Sequence, residues 1–229
     1  MSIPNELIFL THTLFCASAV VLCAYVGRSL LIAYLCLLGV LANLFVLKTI
    51  TLFGLTATCS DMYMVAMVLG LNVLQEWWGK EQAQKAIYYG FGALIAYTLF
   101  CLFQLGYAPA LTDTHTTFYQ ELLGHMPRIT AASLIAYFIS LQCDRALYGF
   151  LRTRFCLSVT RASTLSMIAS QSLDTVLFSI LGLYGTLTGI GSIIMVSMII
   201  KGCAIMIMTP FTKLISSLAV RKNSGTLLE

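Results

Sequence analysis

Residues 191–210 read GSIIMVSMIIKGCAIMIMTP, and residues 170–178, a short way upstream, read SQSLDTVLF. The first is an apolar run of the length that crosses a bilayer, about 20 residues, broken only by Lys201. The second is the centre of a similar run, broken by Asp174. Counting from Ile190, Lys201 is about 11 residues in, or about 17 Å deep at the rise of an α-helix. Counting back from Gly185, Asp174 is at the same depth. Consecutive helices joined by a short turn are antiparallel neighbours, so an Asp174–Lys201 ion pair inside the membrane is expected. Ionisable groups at that depth are costly, face a bundle interior, and mark substrate or ion paths.

The remainder of the chain fits this setting. Of 229 residues, 59% are hydrophobic and only 10% charged, with a mean hydropathy of +0.90. A soluble domain carries about 25% charged residues, so a soluble enzyme, a nucleic-acid-binding domain and a disordered chain are excluded. The pattern predicts an all-α polytopic membrane helix bundle, a single transmembrane domain over 1–229. Its helices are expected near 7–26, 28–48, 62–79, 84–106, 128–150, 162–185 and 190–218. Residues 49–61, TITLFGLTATCSD, are β-branched around Gly54 and read as a hairpin or re-entrant segment, which membrane depth tolerates only when protein buries it. Residues 107–127 form the longest polar connector. The N-terminal run lacks the basic stretch of a signal peptide and is expected to remain as a helix.

Orientation follows from the basic residues. Arg28, Lys80, Lys85, Arg152, Arg154, Arg161, Lys213, Arg221 and Lys222 fall on one side, against Lys48 and Arg128 on the other. Basic residues collect in the cytoplasm, so the N-terminus is expected outside and the C-terminus in the cytoplasm, with Asp113, Glu121, His115 and His125 in an external loop.

Other polar groups gather at the same depth. Glu76 and Gln142 count to about 21 Å from the outer ends; Asn72 shares a helix face with Glu76, and Gln171 shares one with Asp174. Tyr137, Trp77, Trp78, Tyr63 and Tyr184 offer flat faces for stacking. Carboxylates, amides, a lysine and aromatic rings at the midplane suit a planar, nitrogen-rich heterocycle, and transporter sites lie at that depth. A pair that only locks two helices together is the plainer reading. The eight cysteines show no CxxC spacing and read as packing residues, so neither a metal nor a cofactor is expected. HExxH, GxSxG and the phosphate loop GxxxxGK[ST] are missing from the chain, and its three histidines read as lying outside the deep helices; an enzyme is not expected.

Several stretches carry a resemblance. NVLQEWWGKEQAQKA (72–86), PRITAASLIAYFISLQCDRALYGFLRTR (127–154), SQSLDTVLF, the mid-helix Lys201 followed by Pro210, and ANLFVLKTITLFG (42–54, with Asn43 and Lys48) resemble, in order, motifs of the queuosine precursor transporter family. Asn72 stands where that family usually has Asp. The resemblance implies import of a 7-deazaguanine base (preQ0, preQ1 or queuine) for tRNA modification, across a bacterial inner membrane. It also implies a six-helix core, with the first segment as an added helix, akin to the membrane subunits of energy-coupling-factor transporters. Glu76, Gln142, Asp144, Gln171, Asp174 and Lys201 match motif positions. The expected substrate site is Glu76, Asn72, Asn43, Tyr137, Gln142, Gln171, Asp174 and Lys201, with Asp144 and Arg128 as candidates for coupling or gating. Expected partners are the heterocyclic substrate, the lipid bilayer, and either a second copy or energising subunits; no nucleic acid is expected. An importer or binding subunit for another vitamin-like molecule is the alternative, and a non-transporting scaffold a weaker one.

Overall fold

A computed structural model of the chain describes residues 4–157 and 159–203. Helices α1 (Asn5–Val26) and α2 (Arg28–Phe45) are followed by strands β1 (Thr49–Leu52) and β2 (Leu55–Thr58). Then come α3 (Asp61–Trp78), α4 (Lys80–Gly106), the short α5 (Thr116–Gly124), α6 (Met126–Arg154) and α7 (Val159–Phe178). A π-helical turn, Ser179–Leu183, ends α7, and α8 covers Ile190–Cys203. The expected end of this last helix at 218, Pro210, Lys213, Arg221 and Lys222 lie outside the described residues.

By length and apolarity, α1, α2, α4, the run through α5 and α6, and α7 can each cross a membrane. Packing follows the logic of a lipid-facing bundle. Bulky residues such as Phe15, Leu22, Phe100 and Phe103 point outward, while Ala24, Ala42, Ala66, Ala132, Ala136 and Ala162 are buried. Lipid offers no hydrophobic drive between helices, so small residues that let backbones approach hold the bundle together. Helices α1, α2 and α3 pack as one group, α2 and α6 flank α4, and α6 lies along α7. The largest buried cluster joins α1, α2 and α3 through Val20, Leu31, Leu38 and Leu74.

The expected hairpin is present. Phe53 (φ 50°) and Gly54 (φ 79°) both occupy left-handed backbone, the requirement of a two-residue turn whose twist matches its strands. Thr49 pairs with Thr58 and Leu52 with Leu55, so the ladder satisfies its own backbone groups. Leu52 and Ala57 pack on Val196 of α8, with Phe9, Ile50 and Ile200 around them. Those α8 residues lie about 9–15 Å below its first turn. Asn5 donates to the Thr51 carbonyl (3.1 Å), and the Phe53 N–H donates to Glu6 (2.9 Å). The hairpin is therefore a plug set into one end of the bundle: Leu52, Ala57 and Thr58 are buried by helices, as non-helical backbone at membrane depth must be, while Thr49, Thr51 and the Phe53–Gly54 tip stay exposed.

That end, the hairpin face, also holds the α7–α8 turn, α5, Lys48 and Arg128. The opposite face holds Arg28, Lys80, Lys85, Arg152, Arg154 and Arg161, all within the first two turns or the last turn of their helices. Sinking the hairpin has one large effect: α3 starts inside the bundle. Its first residue, Asp61, meets Ser197 of α8, and the 18 residues of α3 then run about 27 Å to Gly79. Gly79 (φ 88°) turns the chain straight into α4.

Candidate functional site

Lys201 is the centre of the buried polar chemistry. It is 9% exposed, and its Nζ donates to Asp174 Oδ2 (3.3 Å) and to Thr175 Oγ1 (3.0 Å), both on α7. The ion pair expected from depth counting is formed. One turn earlier on α8, Ser197 donates to Asp61 Oδ2 at 2.9 Å. Asp61 is only 2% exposed, and the Lys201 charge acts on it. Positions 197 and 201 share a helix face, so a single lysine stands between a carboxylate from α7 and one from α3.

Asp174 and Lys201 open onto a cavity of about 190 Å³ enclosed by α2, α3, α4, α6, α7 and α8. Its polar wall is Asn43, Ser60, Ser133, Tyr137, Gln171, Asp174 and Lys201, and its apolar wall includes Met64, Met67, Phe91 and Phe178. Asn43 is held in place: its Nδ2 donates to the Gly39 carbonyl (3.0 Å), and its Oδ1 accepts from Ser133 of α6 (2.8 Å). The Tyr137 ring meets Phe91 edge-on, with centroids 4.9 Å apart. A mainly apolar pocket with a few convergent polar groups is the usual form of a small-molecule site. This one offers fixed donors and acceptors in a layer and a ring edge beside them.

Five of the expected site residues thus meet in one place: Asn43, Tyr137, Gln171, Asp174 and Lys201. The others do not line the cavity. Glu76 is exposed in the last turn of α3; because the hairpin sinks the start of α3, its end is displaced toward the opposite face and Glu76 leaves the midplane. Asn72, half-buried one turn earlier, also stays off the cavity wall. Gln142 projects outward from α6. Asp144 is a bridge between helices, accepting from Ser170 of α7 at 3.4 Å. Arg128 clasps the end of α7, donating from Nε to the Leu181 carbonyl (2.8 Å) and from Nη2 to the Tyr184 carbonyl (2.6 Å), with Thr186 at 3.5 Å.

The other aromatic candidates sit elsewhere. Trp77 packs on Tyr25 and Trp78, Tyr63 stacks on Phe45, and Tyr184 is exposed on the hairpin face. One histidine lies deeper than its sequence context suggests: His12, half-buried on α1, meets Tyr63 edge-on at 5.1 Å. Asp61, Ser60, Ser133 and Ser197 are the residues that sequence reasoning missed. The available signal for Asp61 was a carboxylate directly after a segment already suspected of re-entering the membrane.

A family model described as "Putative vitamin uptake transporter" matches residues 58–215. A protein of Bacillus subtilis (strain 168) named "Probable queuosine precursor transporter" is 33% identical over 129 residues, which are 56% of this chain and 56% of that protein. The match thus spans little more than half the length of that relative. No solved structure matches the chain. The family match covers more than half of the sequence and takes in α3 through α8, the helices that supply most of the cavity wall. On that match, the chain belongs to the vitamin uptake transporter family.

Proposed function

We propose that this membrane protein imports a 7-deazaguanine base, as preQ0, preQ1 or queuine, to supply queuosine for tRNA. The observation that carries the reading is the cavity in which Asp174, Lys201, Gln171 and Asn43 converge beside the Tyr137 ring. Asp174 accepts the ring N–H and exocyclic amine of the base, since a carboxylate takes two donors at once. Lys201 donates to the ring carbonyl, and Gln171 and Asn43 complete the edge. Tyr137 and Phe178 bound the flat faces. The name of the Bacillus subtilis relative and the family's vitamin uptake role support the same substrate class. Catalysis is not part of this reading. The skew of basic residues between the two faces supports an external hairpin face and a cytoplasmic C-terminus in a bacterial inner membrane.

The test is genetic. In a bacterium unable to make these bases, expression of the chain should restore queuosine in tRNA when preQ0, preQ1 or queuine is supplied externally. If the protein inserts normally and none of the three restores it, the substrate assignment fails.

A further inference from the structure

The two carboxylates around Lys201 leave one positive charge wanting. With Asp61 and Asp174 both ionised, the buried set carries a net charge of −1. Among the described residues, the other titratable groups near Asp61 do not balance it. Cys59, in the turn before α3, is a thiol, and Lys48, whose carbonyl accepts from the Cys59 N–H at 2.9 Å, is exposed and forms no ion pair with Asp61. Tyr63, two residues on in the first turn of α3, faces His12 of α1 and Phe45 of α2. An isolated charge in a low-dielectric interior is neutralised rather than kept, and buried carboxylate sets in transporters form proton relays.

A second feature leads to the same carboxylate. A groove of about 410 Å³ on the hairpin face is lined by Asn5, Thr49, Thr51, Thr56 and Thr188, with Ile50 and Leu187. From it, hydroxyls run inward along one side of β2, because alternate strand residues point the same way. Thr56 lines the groove; Thr58, 2% exposed, shares a hydrogen bond with Ser60 at 2.7 Å; Ser60 lines the central cavity and precedes Asp61. Each hydroxyl both donates and accepts; Thr56 and Thr58 stand about 7 Å apart along the strand, so a proton moving between the groove and Asp61 crosses one bridging water there before reaching the Thr58–Ser60 pair.

We infer that Asp61 is the proton-binding residue of this transporter, loaded from the hairpin face through Thr56, Thr58 and Ser60, and that one proton crosses with each molecule of base. The proton neutralises the Asp61 carboxylate and frees Lys201 to serve Asp174 and the bound base. The coupling step rests on the import function proposed above; proton binding does not.

The experiment uses the full chain in proteoliposomes and has two arms. The first needs no substrate. Infrared titration should show the C=O stretch of one protonated buried carboxyl, missing in Asp61→Asn. Its presence unchanged in Asp61→Asn, or its failure to appear in wild type, overturns the inference. The second uses radiolabelled preQ1. With one proton per base, an imposed gradient of about one pH unit, acid outside, supports about tenfold accumulation. Asp61→Asn should exchange labelled for unlabelled base without accumulating it. Thr58→Val, which only removes a hydroxyl from the file, should slow gradient-driven uptake several-fold more than exchange. Wild-type exchange that ignores the gradient, or accumulation that survives in Asp61→Asn, overturns the coupling and leaves the import function standing. If preQ1, preQ0 and queuine all fail to exchange while the carboxyl signal titrates, the import function falls and the proton site stands. Should Asp61→Asn not fold, Asp61→Glu must keep gradient-driven uptake while Thr58→Val slows it several-fold; equal behaviour of those two refutes the path.

Discussion

The shared lysine makes the buried charges unequal, and mutation can measure the inequality. At a pH high enough to keep Asp61 ionised, Lys201→Met leaves Asp174 and the 2%-exposed Asp61 in the bundle without their cation. Breaking a buried pair by removing one partner costs about 3–5 kcal/mol, and here two carboxylates are stranded. Asp174→Asn does less harm. The new amide still accepts from Lys201, which keeps its 3.0 Å bond to Thr175 and the charge of Asp61; the loss is one charge-assisted contact, about 1–2 kcal/mol. Lys201→Met should therefore be the more damaging by about 2–3 kcal/mol, measured by reversible unfolding of purified protein in mixed micelles. The double variant Asp174→Asn with Lys201→Met should recover only part of the loss, since Asp61 keeps Ser197 and nothing cationic. Adding Asp61→Asn should return stability to within about 1 kcal/mol of wild type, because an uncharged set carries no uncompensated ion. Equal costs for the two single variants, or full recovery in the double, would refute the sharing of Lys201. Full uptake by the stable triple variant would show that the charges only lock helices.

Four further outcomes follow from the geometry. Glu76→Gln, at an exposed position outside the cavity, should leave uptake within about twofold of wild type, the scale of an exposed substitution; a collapse of uptake at matched abundance would return Glu76 to the site. Arg128→Lys loses the fork that spans two carbonyls and should cost about 1 kcal/mol, with faster amide exchange across residues 184–189 as its local signature. A reporter active only in the cytoplasm should be active after Glu229 and silent at Thr114; the reverse pattern would invert the proposed orientation. Asp113 accepts from Thr116 Oγ1 (2.6 Å) and the His115 N–H (2.7 Å), and the Thr116 bond is the main cause holding its carboxyl below the usual range. Its folded value is lower than its unfolded one, so the support it gives the start of α5 is present above the unfolded value and lost as pH falls through the folded one. The protection factors of the α5 amides, observed exchange relative to the intrinsic rate at each pH, should thus stay flat until the pH drops below about 4.

The legible part of this protein was whatever depth counting and local chemistry decide. Asp174 and Lys201 could be paired because a short turn fixes two antiparallel helices, and residues equidistant from it meet. The hairpin could be read from Thr49, Ile50 and Thr51 before Gly54, since β-branched residues disfavour a helix and glycine takes the turn. The depth of the hairpin was not legible. Nothing local in TITLFGLTATCSD says that Leu52 and Ala57 pack against Val196, a contact about 140 residues away. Counting α3 from the membrane surface therefore put Glu76 in the central layer and left Asp61 in a loop. An acidic residue in a first helical turn ordinarily complements the helix dipole; only tertiary placement reveals it as a buried partner of Ser197. Gln142 differs from its expected place for another reason: a lone polar residue in an apolar helix suggests an inward face, yet this one projects outward from α6.

The same placement explains why charge is concentrated at one level of a bundle that small residues could hold together alone. Apolar residues of similar volume in place of a buried ion pair are often neutral or stabilising, and the alanine contacts of α2, α3, α6 and α7 show that close packing is available without ions. Asp61, Asp174 and Lys201 therefore make the bundle no firmer than three apolar side chains would. What they supply is a cavity wall of defined charge at the point where α7 and α8 meet the inner end of the hairpin. The hairpin admits polar backbone and threonine hydroxyls to a depth where a continuous helix would present only a side-chain surface. By ending there, it lets α3 begin beside α8, so that Asp61 reaches Ser197 while Ser60 faces the cavity. Filling that wall with apolar residues should give a more stable protein with no means of holding a polar heterocycle, and stability and uptake measured on the same variants would separate the two properties.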